Sequence, residues 1–517
     1  MNKYIIAFDL GTGGNKASLY DTNGYCLVEN FAPYKTYYPQ KGFQEQKPED
    51  WWQAIVTSTR KLLQQTDIPA SQISCCGISG HSLGVILLNK NHELLKKAVP
   101  IWSDSRPGGQ QMKAFFKDVT ENKWYNITGN GFPPALYSLF KILWYRDHEP
   151  EVYENIDKVI GTKDYINFRL TGKIATDFSY ASGCGLYDLA KWQYNDELVK
   201  ASGINPDILP EILPSTQVLG QLTNEAANEL GLSEDVQVVA GGVDNSCMAL
   251  GAMAFKEGRS YNSLGSSSWI AIASQKPLLN ERSRPYVFAH VVPGMFVSAT
   301  AIFSAGSSFK WVRDQLCSEL IEQAKKKNID DFELLAQVAQ EAEPGSNGIL
   351  FNPSLAGGSF LDESPDIRGG FIGLELGHSK ADIIRATMEG ISLGLTLALD
   401  ELKKLTKLND EIIVVGGGSK NSFWRQIYAD MYDMKIIKTS VDQQAAALGA
   451  AALAAVGTGL WKDFNQIDEV HKIDSSIAPD PATKEIYKSI KSVYRTAGKY
   501  LSDLGIELTK IKNKHKS

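Results

Sequence analysis

Two short stretches hold the residue types best suited to chemistry. In the first, an apolar run ends at Asp9 and is followed by Leu10-Gly11-Thr12-Gly13-Gly14-Asn15-Lys16. Three glycines in four residues let a ligand approach the backbone closely. Successive N–H groups in such a turn can cradle an anion, and Thr12, Asn15 and Lys16 add donors and charge. Asp9, at a strand end, is placed to hold a metal ion or its waters beside a phosphate. In the second stretch, Gly241-Gly242-Val243-Asp244-Asn245, a carboxylate follows the apolar residues 236–240. Asp244 can accept a proton from a substrate hydroxyl, or it can simply cap the helix that follows. Neither phosphate signature in common use is present. The first loop is not G-x-x-x-x-G-K-[ST], and it leads into a strand rather than into the helix that G-x-G-x-x-G opens. Taken alone, it fits a glycine-bulged hairpin equally well.

The elements that must position these groups can be read from the patterning. Residues 5–21 read as strand, glycine turn and strand, with a third strand after the turn signal Asp21-Thr22-Asn23-Gly24. A helix is expected over 51–66, with Pro48 at its start and Glu49 and Asp50 in its first turn. A buried strand over 73–78 leads to the loop Ser79-Gly80-His81-Ser82-Leu83-Gly84, and a short strand over 85–88 returns. Ile101-Trp102-Ser103-Asp104-Ser105-Arg106 forms another loop of the kind that α/β folds use for substrates. Thr162 is expected to cap a helix. A second hairpin spans 260–273, and its Leu264-Gly265-Ser266-Ser267 matches Leu10-Gly11-Thr12-Gly13, so the chain contains an internal repeat of domain length. Ser379 with Asp382 resembles a capping box opening a helix over 380–405. A strand over 411–415 runs into Gly416-Gly417-Gly418-Ser419-Lys420-Asn421, a turn at a helix start that can approach a nucleotide closely. The Ala-rich segment 443–456 should pack tightly. The tail after Leu508, carrying Lys510, Lys512, Lys514 and Lys516, is expected to fray.

Composition bounds the function classes. A chain of 517 residues should hold at least two domains. Its net charge of −6 argues against non-specific binding to nucleic acid or anionic membrane. No apolar run approaches a membrane span, and no signal peptide is expected. Six cysteines without C-x-x-C spacing, two of them adjacent at Cys75-Cys76, suggest buried thiols in a reducing cytoplasm.

The ordered set IAFDLGTGGNKASLYD, SGHSLG, IWSDSR, TKDYINFRLTG, GGVDN, NSLGSSS, SAGSSFKW and VVGGGSKNSFWRQIYAD resembles the FGGY family of carbohydrate kinases, nearest to xylulokinase-like members. The resemblance implies an α/β chain of two actin-like (ribonuclease H-like) ATPase domains around a central cleft. Their expected boundaries are 1–250 for a sugar-binding domain and 251–480 for a nucleotide-binding domain, with a helical tail over 481–517. It also implies ATP and Mg2+, phosphorylation of a hydroxyl on a small ketose, a cytoplasmic location and a homodimer. Asp244 is then the general base and Asp9 the carboxylate beside magnesium. Gly11, Thr12, Gly13, Lys16, Gly265, Ser266, Gly306, Gly418 and Asn421 are the nucleotide contacts. His81, Ser82, Leu83, Trp102, Asp104 and Glu45 line the sugar side. Against the family's S-G-Q-M-H-G, this chain places Ser82 and Leu83 where methionine and histidine stand, and Ser103 replaces an asparagine. Gly357-Gly358-Ser359-Phe360-Leu361 stands where an E-R-T-P stretch is expected. These departures leave open a polyol, a sugar acid or a linear signalling molecule as substrate, or a non-catalytic nucleotide-gated binding protein. Trp102, His81 and Glu45 have ordinary structural readings as core ring, satisfied histidine and solvated carboxylate.

Overall fold

The computed structural model describes residues 3–106, 109–359 and 361–514, so Phe360 and Lys516, named above, lie outside the described residues. The chain divides into two compact units: unit 1 comprises Met1–Glu257, Ala273–Ser298 and Gln444–His471, and unit 2 the remainder.

Unit 1 is built on β1 (Tyr4–Gly11), β2 (Gly14–Asp21), β3 (Cys26–Pro33), β4 (Ile73–Gly80), β5 (Val218–Gln221), β6 (Gln237–Val239) and the short β7 (Gly242–Val243). The sheet order is β5-β6-β4-β1-β2-β3, with β7 also on β4. β1, β4 and β6 run parallel, while β2 and β3 continue as an antiparallel meander. β1 reads as a nearly continuous apolar run because helices cover both faces of a parallel sheet. One cover is α1 (Pro48–Gln64), which has Pro48 in its first turn and Glu49 and Asp50 at its positive end. It buries Trp51, Trp52, Ile55 and Leu62 in a core with Ile6, Phe8 and Leu19. Further helices are α2 (Ser138–His148), α3 (Thr162–Thr171) and α4 (Asp244–Gly251). The Ala-rich helix Ala445–Gly457 packs against α4 almost backbone to backbone. A Cβ on Gly449 would lie 2.0 Å from the carbonyl of Cys247, and one on Gly251 would lie 1.8 Å from that of Ala445. Small residues are what permit that approach.

Unit 2 repeats the plan. β8 (Ser260–Leu264) and β9 (Ser268–Ser274) form a hairpin, and β8, β10 (Glu411–Val415) and β11 (Lys435–Thr439) run parallel. β12 (Ile473–Ile477) closes the edge antiparallel to β11. The order β9-β8-β10-β11-β12 therefore mirrors β2-β1-β4-β6-β5. Its helices include α5 (Gly306–Leu316), α6 (Asp331–Ala339), α7 (Lys380–Lys403), α8 (Ser422–Tyr432) and α9 (Lys484–Lys514).

Two expectations about helix ends are corrected. Thr162 is not the cap of α3. Gly161 takes that position, and the Asp164 carboxylate reaches back to its N–H. The tail does not fray at Leu508, since α9 continues to Lys514. Ser379 does cap α7 in a complete capping box with Asp382. All six cysteines are free, and Cys75 and Cys76 are buried.

Candidate active site

In unit 1, strand register brings the two aspartates of the sequence motifs together. Asp9 on β1 and Gly242 on β7 both pair with Ser79 on β4, one from each side. Asp244 follows β7 directly and begins α4, so it lies at the same end of the sheet as Asp9. It is the first residue of the helix rather than its cap, which is Val243, and its Oδ1 accepts from the Asn245 N–H at 2.8 Å. Burial, reinforced by the charge of Asp9, pushes its pKa up to about 7, with the Asn245 N–H opposing. A carboxyl near neutrality is tuned for proton acceptance from an alcohol. Asp9 is half-buried, accepts from Ser79 Oγ at 3.0 Å and is also raised by burial, while the charge of Lys16 works against that shift. Mg2+ is usually held by one or two carboxylates together with substrate phosphates. Asp9, open enough to reach and already oriented by Ser79, fits that pattern.

The turn carrying Asp244 is fixed from behind. Gly241 has φ +69°, and a Cβ there would lie 2.3 Å from the carbonyl of Ile78. Lys163 and Asn167 on α3 donate to the carbonyl of Ala240 at 3.1 and 2.8 Å. Lys163 is fully buried and pairs with Asp164 and with Asp177. Asp177 in turn accepts from Ser179 Oγ at 2.5 Å, and that oxygen accepts the Val243 N–H at 2.9 Å. A buried ion cluster thus ends on the residue before Asp244. The motif TKDYINFRLTG supplies Lys163, Asp164 and Asn167, but its spacing did not reveal what they hold.

The Gly11–Gly14 hairpin closes through Thr12 and Gly13, since Gly11 pairs with Gly14. Tyr34 OH donates to the carbonyl of Gly11, Tyr34 N–H to that of Gly13, and Gln46 Nε2 to that of Thr12 at 2.7 Å. A Cβ on Gly13 would meet nothing within 4 Å, whereas one on Gly14 would strike Phe31 at 2.4 Å. Gly14 is therefore set by packing on β3, and Gly13 by open space. Asn15 is not a ligand donor: it is fully buried and donates to Ser58 Oγ on α1. Lys16 pairs with Asp9 across the hairpin register.

On the sugar side the structure separates exposed from buried candidates. Trp102 is 38% exposed and donates its indole N–H to Thr12 Oγ1 at 2.9 Å, so the core reading of this ring is corrected. Asp104 is fully buried and accepts from the Gln44 N–H at 2.8 Å and from Arg106 Nε at 2.8 Å. Arg106 also pairs with Glu45 at 2.8 Å and stacks on Phe43 and Trp144. Glu45 is thus not a free loop carboxylate. His81, Ser82 and Leu83 are all buried, and Leu83 has φ +59°. Burial, with the Lys141 charge, pushes His81 down to about 3. The ring is neutral, lies edge-on to Trp51, and neither ring nitrogen has a hydrogen-bond partner among the described residues.

Lys141 on α2 was not singled out from the sequence, because one lysine in an apolar helix carries no signal. Its buried Nζ donates to the carbonyls of Leu83, Ile101 and Leu136 at 2.9, 2.8 and 2.7 Å. It ties the His81–Leu83 loop to the Trp102 loop. Burial pushes its pKa down to about 7, against the charge of Asp104.

Unit 2 holds a cavity of about 720 Å³, within the range of small-ligand sites. Gly265, Ser266, Gly306, Gly418 and Asn421 all line it, together with apolar walls that include Phe309 and Trp424. The β8–β9 turn is bound to the start of α5: Ala305 and Ser307 N–H groups donate to the Ser266 carbonyl, and Gly306 N–H to that of Gly265, each at 3.0 Å. A Cβ on Gly306 would lie 2.6 Å from that Gly265 oxygen. Asn421 caps α8 through Trp424 N–H and donates to Glu333 Oε2 at 2.8 Å. Glu333 also lines the cavity and had no sequence signal.

Comparison with known proteins agrees with this arrangement. The chain matches the N-terminal domain of the FGGY family of carbohydrate kinases over residues 4–251 and the C-terminal domain over 260–458. It is 29% identical over 513 residues to the xylulose kinase of Bacillus subtilis, covering 98% of this chain and 99% of that one. It is 28% identical over 504 residues to the gluconokinase of the same organism, covering 97% of each. A ligand-bound xylulose kinase from Lactobacillus acidophilus superposes with a TM-score of 0.88 at 27% identity, covering 97% of this chain and 98% of that one. Among the described residues no helix is long and apolar enough to cross a membrane. The two glycine-turned hairpins, the paired aspartates and the matched domains converge on one conclusion: this chain belongs to the FGGY family of carbohydrate kinases, which makes it an enzyme of actin-like fold that phosphorylates a sugar with ATP.

Proposed function

We propose that the substrate is a small neutral ketose of xylulose size, and that Asp244 is the general base for its hydroxyl. The observation that carries this reading is the Asp244 carboxyl at the sheet end beside Asp9, with its pKa near 7. Asp244 takes the hydroxyl proton as the oxygen attacks the γ-phosphorus of ATP, and the bond from that phosphorus to the β,γ-bridging oxygen breaks to release ADP. Little covalent chemistry is asked of the protein beyond positioning and charge neutralisation. Asp9 would hold Mg2+, which when bound neutralises phosphate charge. Thr12 and the Gly11–Gly13 turn, with Lys16, face the β- and γ-phosphates. Gly265, Ser266, Gly306, Gly418 and Asn421 seat the nucleotide.

On the sugar side, Trp102 offers an exposed ring and indole edge, and Ser82 and the neutral His81 supply polar atoms. Asp104 supports rather than contacts, because its carboxylate is taken by Arg106 and Gln44. The charge balance favours a neutral sugar over a sugar acid. Arg106, the cation of this loop, is compensated by Asp104 and Glu45 and has no charge left for a carboxylate. ADP release across a panel of ketoses, polyols and aldonates tests the reading. Turnover is expected with a pentulose or hexulose and is lost in Asp244→Asn. Turnover confined to aldonates would replace the ketose, and ketose turnover surviving in Asp244→Asn would remove the base.

A further inference from the structure

Lys141 is a costly residue to place in the core of unit 1. Its side chain is fully buried, and its hydrogen-bond partners among the described residues are the carbonyls of Leu83, Ile101 and Leu136, with no carboxylate among them. A buried cation is unfavourable unless every donor is used, and a methionine would fill the same apolar face of α2 without that cost. What an ammonium adds is three N–H donors on one atom, and here they meet three acceptors from three segments. Leu83 closes the run His81-Ser82-Leu83, whose first N–H donates to the Leu10 carbonyl at 3.0 Å, beside the glycine hairpin. Its φ of +59° is left-handed, which a leucine adopts only under strain, so the turn needs an outside hold. Ile101 immediately precedes Trp102, so fixing its carbonyl fixes where that exposed ring departs from the core. Leu136 ends the turn Pro134–Leu136 from which α2 itself starts.

We propose that Lys141 is a positioning residue for the sugar, and that its ammonium form holds the His81–Leu83 turn and the Trp102 loop in their sugar-binding arrangement by donating to both and to the base of α2 at once. This rests on the reading that those two loops meet the sugar. The hold depends on charge. A neutral amine keeps two N–H donors and turns a lone pair toward the third carbonyl, so one segment is released. Burial disfavours the charged form, Asp104 favours it, and Arg106 opposes it, which brings the pKa down to about 7. The other titratable neighbours stay neutral: His81 lies at about 3, mainly through burial, and burial also keeps Tyr137, next to the third carbonyl, protonated. The hold is therefore complete in mild acid and weakens as pH rises through neutrality, so sugar affinity falls in the same direction.

Calorimetry of xylulose, or of whichever panel sugar turns over fastest, tests this on the full chain. The titration is made in Asp244→Asn, which takes the ionisation of position 244 out of the measurement. Its sugar Kd should rise about fivefold between pH 6 and pH 8.5, with a midpoint near 7. Adding Lys141→Met should raise the Kd about tenfold at pH 6 and abolish the pH dependence, with ATP affinity at pH 7 unchanged. In the otherwise unmodified enzyme, Lys141→Met should raise the sugar KM by about the same factor and change kcat by less than about twofold. A sugar Kd in Asp244→Asn that does not change with pH would overturn the proposal, and this outcome decides it even where Lys141→Met does not fold. A Lys141→Met that binds sugar as tightly as its parent, keeps the same pH midpoint, or loses ATP affinity in equal measure would overturn it too. The panel settles the substrate separately: an aldonate as the sole substrate would replace the ketose, and the same titration with that aldonate would still decide the role of Lys141.

Discussion

The indole N–H of Trp102 donates to Thr12 Oγ1 at 2.9 Å, which joins the loop after Ile101 to the glycine hairpin of β1 and β2. In the proposed reading, a ring on the sugar side and a hydroxyl on the phosphate side thereby share one hydrogen bond. Trp102→Phe keeps an aromatic face and removes the donor. It should raise the sugar KM several-fold. A double-mutant cycle with Thr12→Val should show a coupling of about 1 kcal/mol, the typical worth of one such bond. Additive effects would mean the bond does not couple the two loops.

Asp244→Asn should lower kcat by about 10²–10⁴-fold, the usual contribution of a positioned base, with ATP affinity unchanged by calorimetry. Weakened ATP binding with turnover preserved would contradict the assignment.

The pH dependence of that base has a definite sign. Its folded pKa, about 7, lies above the ordinary carboxylate value of 3.8. The ionised, proton-accepting form is complete only above that point, so kcat should fall about tenfold per pH unit below it. The same shift means the folded state prefers the protonated form. Its contribution to stability is fully present near pH 4 and is lost as pH rises through 7. Asp244→Asn should consequently melt higher than the unmodified protein at pH 8 and show little gain at pH 4. An acid limb centred near pH 4 would show that the burial is relieved in solution.

Ser179→Ala removes the oxygen that accepts the Val243 N–H and links the Lys163–Asp177 cluster to the Asp244 turn. kcat should fall roughly tenfold, equivalent to about 1.4 kcal/mol, with both KM values unchanged and the midpoint of the acid limb displaced. A lower melting temperature with an unaltered pH profile would make the cluster merely structural.

Gly306→Ala places a methyl group 2.6 Å from the Gly265 carbonyl and must push the β8–β9 turn off the start of α5. The KM for ATP should rise at least several-fold while sugar binding, followed by tryptophan fluorescence, is unaltered. An unchanged KM for ATP would show that this turn does not set nucleotide affinity.

Much of this protein was written locally. The paired hairpins at Gly11–Gly14 and Gly265–Ser267, the capping box at Ser379 and Asp382, and the aspartate beside Gly241-Gly242 all depend on neighbours a few residues away, so the sequence determined them. What the tertiary structure decided are the relations between residues far apart in the chain. Register on β4 sets Asp9 beside the turn of Asp244, and burial there moves a carboxyl to neutrality. Folding also chose which loop residues face outward. It consumed Asp104 and Glu45 on Arg106, buried Asn15 against Ser58, exposed Trp102, and gave Lys141 three carbonyls from separate segments. Residue type and spacing fix what a side chain can do. Only packing fixes whether it meets solvent, a ligand or another side chain, because burial and long-range hydrogen bonds are properties of the assembled fold.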